Sequence, residues 1–207
     1  MKNTISVIAL CGKKRSGKNT ASEAFISAYQ HKRNCVEVSF AEPIKKCVAE
    51  LFGFTKDQVD GDKKEIPDPH WENLTPRYIL QFFGTEMMQY KLQEILPKTG
   101  RHFWCNRLIK KIQTLPENSL VIITDLRFKH EYEALKSTFG NKIVFLKIER
   151  VIDHDENNSE QKSDNHSSEK EVDSIIADVI IHNNHKNHKK EDFQKKCVED
   201  LEKFINK

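Results

Sequence analysis

Residues 12 to 20 constrain this chain more than any other stretch. They read Gly12-Lys13-Lys14-Arg15-Ser16-Gly17-Lys18-Asn19-Thr20, after the apolar run Ile5-Ser6-Val7-Ile8-Ala9-Leu10 and before Ala21-Ser22-Glu23-Ala24-Phe25-Ile26. A buried strand, a glycine-bounded turn and a helix, in that order, are the context of a phosphate-binding loop. Gly12 and Gly17 let the backbone curl so that successive N–H groups face one centre, and the helix adds the positive end of its dipole. Such a loop cradles a polyphosphate. Lys18 is expected as a solvated loop ammonium that reaches the β and γ oxygens, and the residue after it ordinarily serves magnesium. Here the pattern G-x-x-x-x-G-K is followed by Asn19 where Ser or Thr is usual, and the first hydroxyl comes at Thr20. One helical step turns Thr20 about 100° away from Asn19. Asn19 is therefore expected to act through a water of the magnesium shell.

The rest of the chain alternates strand and helix patterns. Cys35 to Phe40 reads as a strand, and a helix follows Pro43 with Ile44, Cys47, Val48, Leu51 and Phe52 on its inner face. Thr55 to Asn73 is charged and broken by Gly61, Pro67 and Pro69, which predicts a loop-rich excursion outside the core. From Pro76 a helix carries Ile79, Leu80, Phe83, Met87 and Met88, interrupted by Gly84, where close helix packing and close approach to a ligand are both open readings. A further helix opens at Phe103. Leu120 to Thr124 is a sheet strand ending in Asp125-Leu126-Arg127, Glu131 to Phe139 a helix, Ile143 to Ile148 a strand, Val179 to Ile181 the last strand and Phe193 to Ile205 a closing helix. Residues 151 to 168 are almost wholly polar and cannot supply a core, so they read as a flap. The alternation specifies an α/β fold of three layers, a mainly parallel sheet covered on both faces, with ligands at the carboxyl ends of its strands. At 207 residues it fits one domain, with a helical region at about 54–115 and a lid-like flap at about 150–170.

Asp125 closes an apolar strand, where a carboxylate can bind magnesium directly or through water. Arg127 points the same way if the chain bends there. Arg77, Arg107 and Arg150 are further candidates to neutralise phosphate, because phosphoryl transfer is mainly positioning and charge stabilisation. His182, His185 and His188 recur at every third position, but without cysteine partners they read as a solvated loop, and no zinc is expected.

Composition excludes some classes. Lys and Arg number 34 against 31 Asp and Glu, a net charge of +3, which argues against a nucleic-acid binder that works by bulk charge. The five cysteines lack C-x-x-C spacing and read as reduced thiols of a cytoplasmic protein. No leader of signal length and no membrane-spanning apolar run is expected, so no membrane partner. A homodimer is left open.

Taken together, Gly12 to Lys18, Phe40-Ala41-Glu42-Pro43-Ile44-Lys45, Arg77-Tyr78-Ile79-Leu80-Gln81-Phe82-Phe83-Gly84-Thr85-Glu86, Phe103-Trp104, Thr124-Asp125-Leu126-Arg127-Phe128 and His166-Ser167-Ser168-Glu169 resemble the deoxynucleoside monophosphate kinases of phages and large DNA viruses. The resemblance covers nearly the whole chain in order and spacing. It implies a nucleoside monophosphate kinase-like P-loop fold and transfer of the ATP γ-phosphate to a deoxynucleoside 5'-monophosphate, with ATP and Mg2+ required and small nucleotides as the partners. Carried over, Gly12, Lys14, Arg15, Ser16, Gly17, Lys18, Asn19 and Thr20 would hold ATP. Arg77, Gln81, Gly84, Thr85 and Trp104 would belong to the acceptor site, and Lys18, Asp125, Arg127 and Arg77 would act on the transferring group. Asn19 and Asp125 would stand on the metal side. The family commonly has Asp where this chain has Asn19, so one charge is removed there.

Two rivals remain on the sequence. An animal-type phosphomevalonate kinase is similar in its G-K-x-x-S-G-K loop, though Gln81 and Trp104 offer an amide and an indole suited to a base. A nucleotide-dependent switch would ordinarily show N-K-x-D, which this sequence lacks.

Overall fold

The computed structural model describes residues 5–151, 171–184 and 189–206. The chain divides into two compact units: one runs to Ser39 and resumes at Lys111, and the other is Phe40–Lys110.

The first unit is built on five parallel strands, β1 (Val7–Cys11), β2 (Asn34–Val38), β3 (Ser119–Leu126), β4 (Ile143–Arg150) and β5 (Val179–Asn183), in the order β2-β3-β1-β4-β5. Every residue of β1 is buried, as are nearly all of β3 and the first four of β4, Ile143 to Leu146, which is why these segments read as continuous apolar runs rather than alternating ones. Alternate residues serve opposite faces. Ile8, Leu10, Leu120, Ile122, Val144, Leu146, Ile148 and Ile181 pack with Ala21, Ala24 and Phe25 of α1 (Lys18–Tyr29) and with Phe193, Cys197 and Leu201 of the C-terminal helix (Lys190–Ile205). On the other face the ring of Tyr132, from the helix Lys129–Phe139, lies 4.5 Å from that of Phe145. Helices thus cover both faces and make three layers. Each fully buried side chain, such as Phe25 or Leu146, contributes about 1.5–3 kcal/mol. Arg33 fastens the amino ends of the strands, its Nη1 and Nη2 donating to the carbonyls of Ile5 at 2.6 Å and Ser119 at 2.9 Å.

The second unit is helical: α2 (Ala41–Phe52), α3 (Lys56–Val59), α4 (Pro76–Gln81), a π-helix (Phe82–Lys91), α5 (Leu92–Ile95) and the start of α6 (Phe103–Gln113). Thr55 and Thr75 cap α3 and α4, and Pro76 occupies the first turn of α4, where its missing N–H costs nothing. Its small core contains Val48, Phe54, Val59 and Ile79, with Ile44, Phe52, Trp71 and Phe83 packed against it. Two expectations change here. The excursion from Thr55 to Asn73 does contribute to a core, through Val59 and through Trp71, whose Nε1 donates to the Phe52 carbonyl at 3.0 Å. On α2 the residues that pack inward are Ile44, Val48, Ala49 and Phe52; Cys47 is exposed and so is Leu51, at 63%.

The expected flap, 151–168, lies outside the described residues apart from Val151, and so do His185 and His188. His182 belongs to β5 rather than to a loop, and its Nδ1 stands 3.6 Å from Glu149 Oε2. None of the described helices is long and apolar enough to cross a membrane.

Candidate functional site

β1 delivers the chain into the loop. Gly12 has φ +139° and Gly17 φ +108°, values that L side chains rarely adopt. Space demands glycine at Gly12 as well, where a Cβ would meet the Ile148 carbonyl oxygen at 2.3 Å; at Gly17 the nearest atom is the free end of a side chain, Asn183 Nδ2 at 2.5 Å. Arg15, between them, is also left-handed at φ +61°. Lys18 begins α1 and is buried, its Nζ donating to the carbonyls of Gly12 at 2.7 Å and Lys13 at 2.8 Å. This corrects the expectation of a solvated loop ammonium. Ser16 is buried, its backbone N–H donates to Lys13 O at 3.2 Å, and among the described residues its hydroxyl has no hydrogen-bond partner. A buried hydroxyl without a partner costs free energy, and an anion seated in the loop would satisfy it. The loop therefore fits a polyphosphate. Asn19 is exposed and Thr20 half-buried on the first turn of α1.

β3 lies beside β1, and its carboxyl end is irregular. Ala9 pairs with Ile123 but Cys11 pairs with Leu126, so Thr124 and Asp125 together oppose Leu10. Such a bulge re-aims a side chain at the end of a strand. Asp125, half-buried, sits on it, and the turn that follows is held by Glu131: Oε2 accepts the N–H of Arg127 at 3.0 Å and of Phe128 at 3.1 Å. Burial pushes the Glu131 carboxyl up to about 8 against the pull of those two N–H groups, with the nearby Asp125 adding to the rise. The D-L-R sequence and Glu131 thus form one clustered turn. Glu131 was not singled out from the sequence, although a Glu at the third helical position is a recognisable capping signal.

The segment that returns after residue 170 is fastened nearby. Asp173 pairs with Lys13 at 3.2 Å and with Lys147 at 3.5 Å, Lys147 also pairs with Glu149 at 3.1 Å, and the Lys129 N–H donates to Glu171 at 3.2 Å.

In the second unit, Arg77 is paired with Glu65, and Lys45 and Lys64 both face Asp60, at 2.6 and 3.7 Å. Gln81 is half-buried and Gly84 and Thr85 are buried. Gly84 is a packing glycine: a Cβ there would stand 2.9 Å from Ile44 Cδ1. Trp104 is 4% exposed and its indole N–H donates to the Gly84 carbonyl at 2.8 Å. Arg107 is exposed, and Arg150 ends β4.

A family model described as deoxynucleotide monophosphate kinase matches residues 64–196. The chain belongs to that family. The match takes in Arg77, Gln81, Gly84, Thr85, Trp104, Asp125 and Arg127 and begins beyond the loop at 12–20, so loop and match are separate observations. A relative from Acanthamoeba polyphaga mimivirus, provisionally named a deoxynucleotide monophosphate kinase, is 32% identical over 184 residues, covering 86% of this chain and 88% of its own length. Among solved structures, a gluconokinase from Sinorhizobium meliloti 1021 is similar over 100% of this chain and 96% of its own, at 9% identity and a TM-score of 0.49. As a deoxynucleotide monophosphate kinase family member the chain is an ATP-dependent enzyme, a kinase, and acts on small nucleotides. Of the expected site residues, the fold gathers Gly12 to Thr20, Asp125 and Arg127 at the carboxyl ends of β1 and β3 in the first unit. Arg77, Gln81, Gly84, Thr85 and Trp104 belong to the second.

Proposed function

We propose that this enzyme transfers the γ-phosphate of ATP to a deoxynucleoside 5'-monophosphate, giving the diphosphate and ADP. The observation that carries the reading is the loop after β1, where a buried hydroxyl without a partner and a buried lysine line a glycine-shaped cradle in a chain of this family. Gly12, Lys14, Arg15, Ser16, Gly17, Lys18, Asn19 and Thr20 hold the donor. On binding, Lys18 Nζ exchanges its two carbonyl acceptors for the β and γ oxygens, where a charge-assisted bond is about twice as strong as a neutral one.

An oxygen of the acceptor phosphate attacks the γ phosphorus, the bond from that phosphorus to the β–γ bridging oxygen breaks, and the electron pair leaves on ADP. A phosphomonoester has a second pKa of about 6, so the attacking oxygen is already deprotonated near neutrality and needs no general base. The chain's task is to position and to neutralise. Arg77 and Arg127 serve the transferring group. Gln81, Gly84, Thr85 and Trp104, in the helical region at about 54–115, shape the acceptor side, Trp104 through the Gly84 backbone. Asp125 and Asn19 form the metal side, a donor set of one carboxylate and one amide oxygen that suits magnesium, which keeps waters and takes phosphate oxygens. When bound, magnesium neutralises charge on the β and γ oxygens. Five free thiols suit a reducing, cytoplasmic setting.

A coupled ADP-release assay across dGMP, dTMP, dCMP, dAMP, their ribose counterparts and phosphomevalonate tests this. Turnover is expected with one or more deoxynucleoside monophosphates and not with phosphomevalonate; turnover with phosphomevalonate alone would replace the reading with that of the small-acid kinase.

A further inference from the structure

Asn183 is the last residue of β5, placed opposite Arg150 by the strand register, and its carbonyl accepts the Val151 N–H at 3.0 Å. Its backbone is therefore fixed on the sheet. From there the side chain reaches the loop, Nδ2 donating to the Ser16 carbonyl oxygen at 2.9 Å. The amide packs directly against Gly17: a Cβ there would meet Asn183 Nδ2 at 2.5 Å and the Phe193 ring at 3.2 Å, so a side chain would displace the amide from the Ser16 carbonyl. The φ of +108° favours glycine independently.

We propose that Asn183 is a positioning residue for the donor phosphates, acting through the Ser16–Gly17 peptide. The inference rests on the reading of residues 12 to 20 as the ATP cradle. A trans peptide is planar, so fixing the Ser16 C=O on one side fixes the Gly17 N–H on the opposite side. The bonds on either side hold the neighbouring peptides, and the Asn183 amide is what holds the Ser16 carbonyl itself. Gly17 lacks a side chain, Ser16 donates its N–H to Lys13 O at 3.2 Å, the Gly17 carbonyl accepts the Ala21 N–H at 3.0 Å on the helix side, and among the described residues the Ser16 hydroxyl has no hydrogen-bond partner. Without the Asn183 amide the peptide can rotate, and an N–H aimed at an oxyanion is replaced by a carbonyl oxygen that repels it. Pre-aimed donors of this kind are effective because they need no reorganisation when the anion arrives. Asn183 does not touch the phosphate itself.

The test compares wild type, Asn183→Leu and Asn183→Asp by calorimetric titration with ADP, by the KM values for ATP and for the monophosphate, and by thermal unfolding. Leu removes the donor without adding charge. Asp keeps the shape but places a carboxylate oxygen against the Ser16 carbonyl. We expect ADP affinity to fall and ATP KM to rise about tenfold for Leu and further for Asp, the scale of one lost hydrogen bond. The monophosphate KM and the unfolding temperature should stay close to wild type. Variants that keep wild-type ADP affinity overturn the inference while leaving the cradle intact, and so does an equal rise in both KM values. Loss of folding in both variants also overturns it, because the amide would then serve the fold. A wild-type chain that binds no ADP overturns the cradle reading and this inference with it.

Discussion

The indole N–H of Trp104 donates to the carbonyl oxygen of Gly84 across 2.8 Å, with both groups buried. The acceptor lies in the π-helix Phe82–Lys91, a winding that runs to ten residues here although π geometry elsewhere is mostly limited to single turns. Trp104→Phe keeps most of the ring packing and removes the bond, while the carbonyl keeps its place in the π-helix ladder. The expected cost is about 0.5–1.5 kcal/mol. Chemical denaturation should show that loss, and the KM for the monophosphate should rise more than that for ATP. Unchanged stability would mean that the bond contributes nothing.

Lys18 is both a chemical group and a structural one, since its Nζ closes over the carbonyls of Gly12 and Lys13. Lys18→Met fills the stem volume but removes the charge. Steady-state turnover should fall at least a hundredfold, on the order of 3 kcal/mol of transition-state stabilisation. Circular dichroism should show the fold retained, with a modestly lower melting temperature. Turnover above a tenth of wild type would remove the loop from the chemistry.

Two glycines of the helical unit predict an ordering. A Cβ on Gly100 would stand 2.3 Å from the backbone N and Cα of Gln93, which cannot yield, whereas on Gly84 the nearest atom is the free end of Ile44 at 2.9 Å. Gly100→Ala should destabilise by about 1–3 kcal/mol or more, and Gly84→Ala by less. Urea titration of both variants checks the order, and the reverse order contradicts the packing described.

The thiols offer a probe of burial. Burial pushes Cys11 up to about 11 and Cys197 up to about 12, and keeps both in the unreactive protonated form. Cys47 is exposed on α2. Ellman's reagent on the native chain should therefore modify Cys47 promptly and spare Cys11, Cys105 and Cys197 until denaturant is added. Prompt modification of Cys11 or Cys197 would contradict their packing.

Much of the sheet was legible because a parallel strand buried on both faces must be apolar at every position, as Val7–Cys11 and Ile143–Leu146 are. The turn after β1 was legible because Gly12 and Gly17 supply the positive φ values it needs and a helix begins directly after it. The π-helix was not. An apolar series such as Ile79, Phe83, Met87 satisfies an ordinary helical period, while Gly84 and Gln89, both buried five residues apart, carry no apolar signal. Lys18 was read as solvated because a charged residue in a turn usually is; only the fold reveals two carbonyls converging on it. Asn183 escaped notice for a similar reason. Its partner Ser16 is 167 residues away, and nothing local to Asn183 announces the contact.

The central claim is one bond made and one broken between donor and acceptor, and the fate of a label reads it directly. The enzyme is incubated with ATP labelled at the γ-phosphate, magnesium and each deoxynucleoside monophosphate, and the products are separated. The account predicts that label appears in the β-phosphate of a deoxynucleoside diphosphate, one for each ADP formed, and that Lys18→Met abolishes it. Label released as inorganic phosphate at the same rate with and without monophosphate would contradict it.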